Sequence, residues 1–121
     1  MTIGAILGLI SILAGAFGTH ALRGALTENA LNTFETAVRF QMYHALALLV
    51  TGLLTNRSSS SLIGMSGALF TIGTLFFSGS LYALSLSGIG AFGAVAPVGG
   101  IGLIVGWATL IVGIIRQKTS E

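Results

Sequence analysis

A stretch of fifty-eight residues, 58–115, contains no aspartate, glutamate, lysine, arginine or histidine. Soluble domains carry roughly 25% charged residues, and a soluble chain with so long an uncharged stretch would not stay dispersed in water. The hydrocarbon core of a bilayer accommodates about 20 apolar residues per helix, so this stretch is long enough for two membrane spans and a turn. The pattern therefore indicates that lipid, rather than water, surrounds this part of the chain.

The composition of the whole chain is typical of a membrane protein. Its 121 residues are 54% hydrophobic and 7% charged, and the mean hydropathy is +0.98. Residues 1–22 have no basic segment ahead of their apolar run, so we interpret them as a retained helix rather than a signal peptide. Four apolar segments predict an all-α, four-helix transmembrane bundle that forms a single membrane domain, residues 1–121. The predicted spans are residues 3–22, 36–55, 62–86 and 97–115.

Local signals refine the ends of two of these helices. A polar segment precedes the second span and extends the predicted helix back to Glu28, so that it is amphipathic at first and buried in the membrane later. Thr27 is the expected N-cap, and Glu28 in the first turn favours the helix dipole. Pro97 follows a glycine-rich stretch, residues 88–93. It is expected in the first turn of the last helix, where its missing N–H is no loss.

The few basic residues predict the orientation and exclude one class of partner. Four spans put both termini on one side, where Arg57, Arg116 and Lys118 fall, whereas Arg23 and Arg39 belong to the other side. Because short cytoplasmic loops are enriched in lysine and arginine, we expect both termini in the cytoplasm. The five basic residues are scattered rather than clustered, so nucleic acid is not an expected partner. The apolar spans make the lipid bilayer the expected partner.

Eighteen glycines in a small helical protein require an explanation. In a bilayer, small residues allow helix backbones to approach closely, and van der Waals packing then holds the helices together. The glycines therefore predict either tight packing inside one bundle or an interface between chains, and their spacing does not separate these alternatives. The expected helix-packing residues are Gly4, Gly8, Gly15, Gly18, Gly79, Gly102 and Gly106.

Candidate chemistry is confined to residues 20–44, which hold both histidines and both internal acidic residues. Three interpretations of this region compete: an amphipathic segment at the membrane surface, a buried polar network joining the first two helices, and a functional site. Glu35 and Arg39 have the favourable spacing for an ion pair on one helix face. The candidate network consists of His20, Glu35, Arg39, Gln41, Tyr43 and His44.

Catalytic and metal-binding patterns are weak in this chain. Two imidazoles on neighbouring helices can ligate haem iron or copper, but His20 and His44 are expected at different depths. The chain has no cysteine and no aspartate, and it has no GxSxG or HExxH motif. We therefore expect no enzymatic activity, no metal and no cofactor. Ser78 and Ser80 are expected to bond to carbonyls of their own or a neighbouring helix, and Trp107 is expected to have a packing role.

Five ordered blocks of sequence resemble a known family. Residues 15–22 (GAFGTHAL) are similar to the GAFGAHAL signature of the membrane proteins grouped as domain of unknown function 423, and residues 43–49 (YHALALL) resemble a second block. Similar later blocks lie at residues 77–84, 96–100 and 106–107. Thr19 stands where the family commonly has alanine, and Phe40 and Gln41 stand where an aromatic residue followed by glutamine or histidine is usual.

The resemblance implies a multi-pass membrane protein, located in the bacterial inner membrane and similar to the transmembrane protein 256 group of eukaryotes, and it brings no established activity. From the small-residue faces, and from the missing catalytic set, we expect a structural or accessory protein that self-associates or docks to a larger membrane complex. The alternative is a small transport protein with a polar path lined by His20, Glu35, Arg39 and His44.

Overall fold

Four long helices make up the computed structural model, which describes the backbone of residues 1–120 and the side chains of residues 1–117. The predicted all-α, four-helix fold is confirmed. Lys118, one of the basic residues from which the orientation is predicted, lies outside the described side chains. The helices are α1 (Thr2–Phe17), which continues into a π-helical turn (Gly18–Leu22), α2 (Glu28–Arg57), α3 (Ser61–Ser87) and α4 (Ala91–Ser120).

Each helix is long and apolar enough to cross a membrane. At 1.5 Å per residue, the shortest span, the 21 residues of α1 and its π-helical turn, extends about 30 Å, which is the thickness of a hydrocarbon core, and the 27 residues of α3 extend about 40 Å. Large aliphatic side chains cover the outer faces; Leu9, Ile104 and Ile111, for example, are all exposed. In water such a surface would aggregate, whereas in a bilayer it faces lipid. The chain is therefore a membrane protein, as its composition predicts.

The helices are arranged so that neighbours in sequence are also neighbours in space. The extensive contacts among the described residues are α1 with α2, α2 with α3, and α3 with α4. The helices α2 and α3 form the centre, and α1 packs on α2 at one edge of the bundle. This placement leaves an open groove between α1 and α3, with residues of α2 as its floor. We call it the α1–α3 groove.

The start of α2 agrees with the sequence-based expectation. Thr27 has extended backbone angles, and its hydroxyl accepts a hydrogen bond from the backbone N–H of Ala30 at 3.1 Å. This bond satisfies one of the four N–H groups that a helix leaves free at its start. Before it, the chain turns at Gly24, whose φ of 95° is accessible to glycine at little cost. The predicted N-cap is confirmed.

The placement of Pro97 differs from the expectation. The last helix begins at Ala91, six residues earlier, so that Pro97 lies inside α4 rather than in its first turn. A proline at this position removes the hydrogen bond to the carbonyl of Gly93. Membrane helices tolerate this loss better than soluble ones, because neighbouring groups can satisfy the freed carbonyl. Of the glycine-rich stretch, only residues 88–90 form a loop, and residues 91–93 belong to α4.

Glycines allow α1 to lie directly on α2. A side-chain carbon added at Gly4 would lie 2.8 Å from the carbonyl oxygen of Ala45, and one at Gly18 would lie 2.8 Å from the ring of Phe34. Contacts this short mean that a larger residue at Gly4 would push the two backbones apart, and one at Gly18 would displace the ring of Phe34. Gly8 and Gly15 also face α2, where they lie against Ala45 and Val38.

Glycines bring α4 against α3 in the same way. A side-chain carbon at Gly106 would lie 2.9 Å from the ring of Phe70, and one at Gly102 would lie 3.6 Å from the Cα of Gly73. Gly79, which the sequence placed among the packing residues, has open space where its side chain would be. It lines the α1–α3 groove instead.

We predict that Gly99→Ala destabilises the fold, because the added carbon meets the backbone of Phe77, which cannot rotate away. Overpacking of this kind typically costs about 1–3 kcal/mol. Thermal unfolding in detergent, followed by circular dichroism, should show a lower midpoint. Gly79→Ala is the matched control, since nothing lies near its added carbon. Equal midpoints for the two variants would contradict the close approach of α3 and α4.

Candidate functional site: polar side chains between the helices

Gln41 joins three helices in the middle of the bundle. Its side chain is buried, with 3% of its surface exposed. The amide nitrogen Nε2 donates to the carbonyl oxygen of Leu7 on α1 at 2.9 Å, and the oxygen Oε1 accepts from the hydroxyl of Tyr82 on α3 at 2.6 Å. A polar group in hydrocarbon is costly unless it is hydrogen-bonded. The amide therefore fixes the relative positions of α1, α2 and α3.

His44 makes the corresponding link to the last helix. Its Nε2 lies 3.0 Å from Trp107 Nε1, and its Nδ1 lies 2.8 Å from the carbonyl oxygen of Phe40. An indole N–H can only donate, so Nε2 must accept and Nδ1 must carry the proton that is donated to Phe40. These two bonds assign one neutral tautomer to the buried ring. The imidazole thus holds α2 and α4 together, and both of its nitrogens are in use.

Serine hydroxyls supply further bonds between helices. Ser78 on α3 donates to the carbonyl oxygen of Ala37 on α2 at 2.9 Å. Ser11 on α1 donates to the carbonyl oxygen of Val38 at 3.4 Å. Ser80 instead donates to Phe77 within its own helix, at 2.9 Å. The two kinds of bond expected for Ser78 and Ser80 are therefore both present, one to a neighbouring helix and one local.

The structure divides the six residues of the candidate network. Gln41 and His44 are buried, but Gln41 bonds to α1 and α3 whereas His44 bonds to α4. His20, Arg39 and Tyr43 are exposed, and Glu35 is half-buried. The guanidinium of Arg39 donates to the hydroxyl of Thr36 at 3.2 Å. One face of α2 packs against α1 and α3, and Arg39 and Tyr43 lie on the exposed surface of the helix. The six residues do not line one path.

The two histidines lie at different levels of the molecule. Gly18, two residues before His20, packs on Phe34, and His44 lies ten residues further along α2, a rise of about 15 Å. Ligation of a metal through His44 Nε2 would also require its bond from Trp107 to break. Within residues 1–117, no three histidine, cysteine, aspartate or glutamate side chains come close enough to share a metal ion.

Sequence reasoning missed the partners of the buried groups. Trp107 was expected only to pack, and Tyr82 was noted only as part of a family block. Both side chains carry a hydrogen-bond donor, and a donor at mid-span needs an acceptor on another helix. This requirement is the sequence signal that indicates a bonding role for Trp107 and Tyr82. The partner of Trp107 is 63 residues away in the chain, so the acceptor itself was not evident.

We predict that Trp107→Phe destabilises the protein, because His44 Nε2 then lacks its donor. Hydrogen bonds between membrane helices contribute about 0.6 kcal/mol on average and up to about 1.7. A double-mutant cycle with His44→Phe, measured by unfolding in mixed micelles, should give a coupling energy in this range. Tyr43→Phe is the control, since that hydroxyl is on the exposed face of α2. Additive effects of the two substitutions would contradict the bond.

Comparisons with known proteins agree with this architecture. The family model described as "Protein of unknown function (DUF423)" matches residues 14–100. A UPF0382 membrane protein of Staphylococcus haemolyticus is 41% identical over 91% of this chain and 89% of its own length. The UPF0382 membrane protein YwdK of Bacillus subtilis is 37% identical over 94% of each chain.

A third relative is named for its location. The UPF0382 inner membrane protein YgdD of Escherichia coli is 38% identical over 94% of this chain and 87% of its own length. No solved structure matches the chain. The match to the family model covers more than half of the residues, and these relatives match almost from end to end. The chain therefore belongs to the DUF423 family of membrane proteins.

Proposed function

We propose that this protein is a non-catalytic accessory component of the bacterial inner membrane, which binds a transmembrane helix of a second copy or of a larger complex through one face of α3. The observation that carries the proposal is the exposed pair Gly64 and Ala68, which are four residues apart on that face. Small residues at this spacing let two membrane helices cross closely. We call this pair and the neighbouring Thr71 the α3 small-residue face.

The use of glycine elsewhere in the chain supports this assignment. Gly4 and Gly18 bring α1 onto α2, and Gly99 and Gly106 bring α4 onto α3. Gly64, in contrast, has open space where its side chain would be. A glycine inside a helix has no packing side chain of its own and lowers helix stability. Contact with a helix from outside the protomer gives Gly64 the same role that these four glycines have.

The arrangement of polar groups also favours a structural role over catalysis or transport. Gln41 is an amide, which is neither an acid nor a base, and both ring nitrogens of His44 are held in hydrogen bonds within the protein. His20 and Arg39 lie on the exposed surface, away from the buried groups. With both termini in the cytoplasm, as the charge distribution predicts, the α3 small-residue face lies in the cytoplasmic half of the membrane.

We expect a photo-cross-linking amino acid at Ile72, which is exposed beside this face, to form one discrete adduct in native membranes. Mass spectrometry of the adduct identifies a second copy or another membrane protein. Ala68→Leu should abolish the adduct, because its longer side chain keeps the helices apart. The same cross-linker at Ile104 on α4, which is also exposed, is the positional control.

Two results would contradict the proposal. One is an absence of adducts at Ile72 together with a monomeric mass after mild solubilisation. The other is an adduct at Ile72 that Ala68→Leu leaves unchanged, or that forms equally from Ile104, since contact would then not depend on the α3 small-residue face.

A further inference from the structure

Two ionisable side chains of α2 lie four residues apart toward the outside of the bundle. Arg39 is exposed and Glu35 is half-buried. The guanidinium of Arg39 donates to Thr36 of its own helix at 3.2 Å, whereas no hydrogen bond or ion pair within residues 1–117 reaches the carboxylate of Glu35. The exposed side of the helix continues at intervals of three or four residues with Tyr43 and Leu46. We call Glu35, Arg39, Tyr43 and Leu46 the α2 outer face.

The neighbours of α2 show how deep this acid–base pair lies. The hydroxyl of Ser78 bonds to the carbonyl oxygen of Ala37, and the ring of Tyr82 packs edge-on against that of Phe34. The pair is therefore level with a stretch of α3 that lies five to nine residues, or about 8–14 Å, before the end of that helix at Ser87. Helix α3 exceeds the hydrocarbon core by about 10 Å, or about 5 Å at each end. The pair therefore lies inside the core.

Other helices expose large apolar side chains at the same depth. Phe17 of α1 is 54% exposed, and the next residue, Gly18, packs on Phe34. Leu86 of α3 is 55% exposed and lies one turn beyond Tyr82, nearer the end of its helix. Such surfaces are stable in lipid rather than in water. Hydrocarbon therefore surrounds the bundle at the level of the acid–base pair and beyond it.

Charged side chains at this depth are costly unless they are paired or reach water. The bond to Thr36 holds the guanidinium of Arg39 beside α2, and Glu35 has no counter-charge in its own chain. The face carries one charge of each sign. An anionic lipid headgroup would pair with Arg39 and be repelled by Glu35, whereas a partner with both signs complements the two charges together. The chain itself is such a partner.

We propose that the α2 outer face is an interface with a second copy of the chain, in which the guanidinium of Arg39 in each protomer donates to the carboxylate of the partner's Glu35. Copies in one membrane have the same orientation, so the two α2 helices are parallel and are related by a two-fold axis along the membrane normal. A two-fold interface makes each contact twice. It therefore contains two ion pairs and no net charge.

The spacing along the helix suits this arrangement. Residues 35 and 39 differ in level by about 6 Å. Side chains on a helix lean toward its N-terminus, so each arginine extends from its own level toward that of the glutamate. Tyr43 and Leu46 continue the face toward the centre of the membrane and pack against the same residues of the second copy. Ion pairs at one end and packing at the other then fix the register of the two helices.

This interface goes beyond the proposed function, because it uses another helix in the other half of the membrane. Gly64, in the α3 small-residue face, lines a pocket with Gly52 and Thr55 of α2. Gly52 lies thirteen residues after Arg39 along α2, a rise of about 20 Å. The two surfaces are therefore separate, and substitutions in one are expected to leave contacts at the other unchanged.

Disulfide cross-linking in native membranes tests the contact directly, because the chain contains no cysteine of its own. A disulfide forms only where the Cβ atoms approach to about 3.5–4.5 Å. We expect Leu46→Cys, treated with copper phenanthroline, to give a homodimer that a reductant returns to monomer. Ile101→Cys, at an exposed position on α4, is the matched control and should remain monomeric.

Charge exchange between copies tests the ion pairs. In the Leu46→Cys chain, Glu35→Arg makes the face wholly basic and Arg39→Glu makes it wholly acidic, so each variant expressed alone should lose the cross-linked dimer. Co-expression of the two variants with different affinity tags should restore a dimer that contains both tags. An ion pair within one chain does not give this result. The restored dimer also shows that both variants fold.

Four outcomes would overturn the inference. They are equal cross-linking from Ile101→Cys, a dimer that persists in Glu35→Arg, no mixed dimer on co-expression, and a monomer whose bound anionic phospholipid is lost in Arg39→Gln. The last of these, seen by native mass spectrometry, would assign the face to a lipid headgroup.

Ala68→Leu separates this inference from the proposed function. It should leave the Leu46→Cys dimer unchanged, since it alters only the α3 small-residue face. Loss of the dimer in this variant would show that copies meet at α3 and would overturn the assignment to α2. Failure of the α2 contact in any of these experiments does not affect the adduct expected at Ile72, so the two proposals stand or fall separately.

Discussion

Hydrocarbon offers no hydrogen bonds, and this constraint accounts for most of the specific contacts in the structure. Apart from the bond that Pro97 removes in α4, the helices satisfy their own backbones, so the remaining question is where the polar side chains find partners. Gln41 forms hydrogen bonds with α1 and α3, His44 forms one with α4, and Ser78 on α3 donates one to α2. A few polar groups therefore determine how four apolar helices with little sequence complexity are aligned. Within the described residues, the buried Oγ1 of Thr74 departs from this rule.

Close packing is the second requirement, since lipid tails are as apolar as the helices and do not drive them together. Gly4, Gly18 and Gly106 meet this need because they let backbones or rings from the neighbouring helix approach to a distance that a side chain would block. The polar bonds then need only modest energies, because they act between surfaces already in contact. Packing and bonding thus support each other along the same interfaces.

Much of the fold could be predicted from the sequence, because span length and charge depletion are properties of local composition. The cap at Thr27 was also readable, since it depends on residues a few positions apart. Pro97 was misplaced because glycine-rich segments usually interrupt helices in water, whereas membrane helices accept them. The pairing of His44 with Trp107 joins distant parts of the chain. No local pattern predicts such a contact. The unpaired hydroxyl of Thr74 is not predicted by any sequence pattern either.

The order of the helices along the chain has a consequence for biosynthesis. Contacts run from α1 to α2, from α2 to α3, and from α3 to α4, and connectors of three residues, 58–60 and 88–90, join the last three helices. Topologies dominated by contacts close in sequence fold rapidly. Each helix that leaves the insertion machinery finds its docking surface already in the bilayer. The helices can therefore assemble one after another from the N-terminus while translation continues.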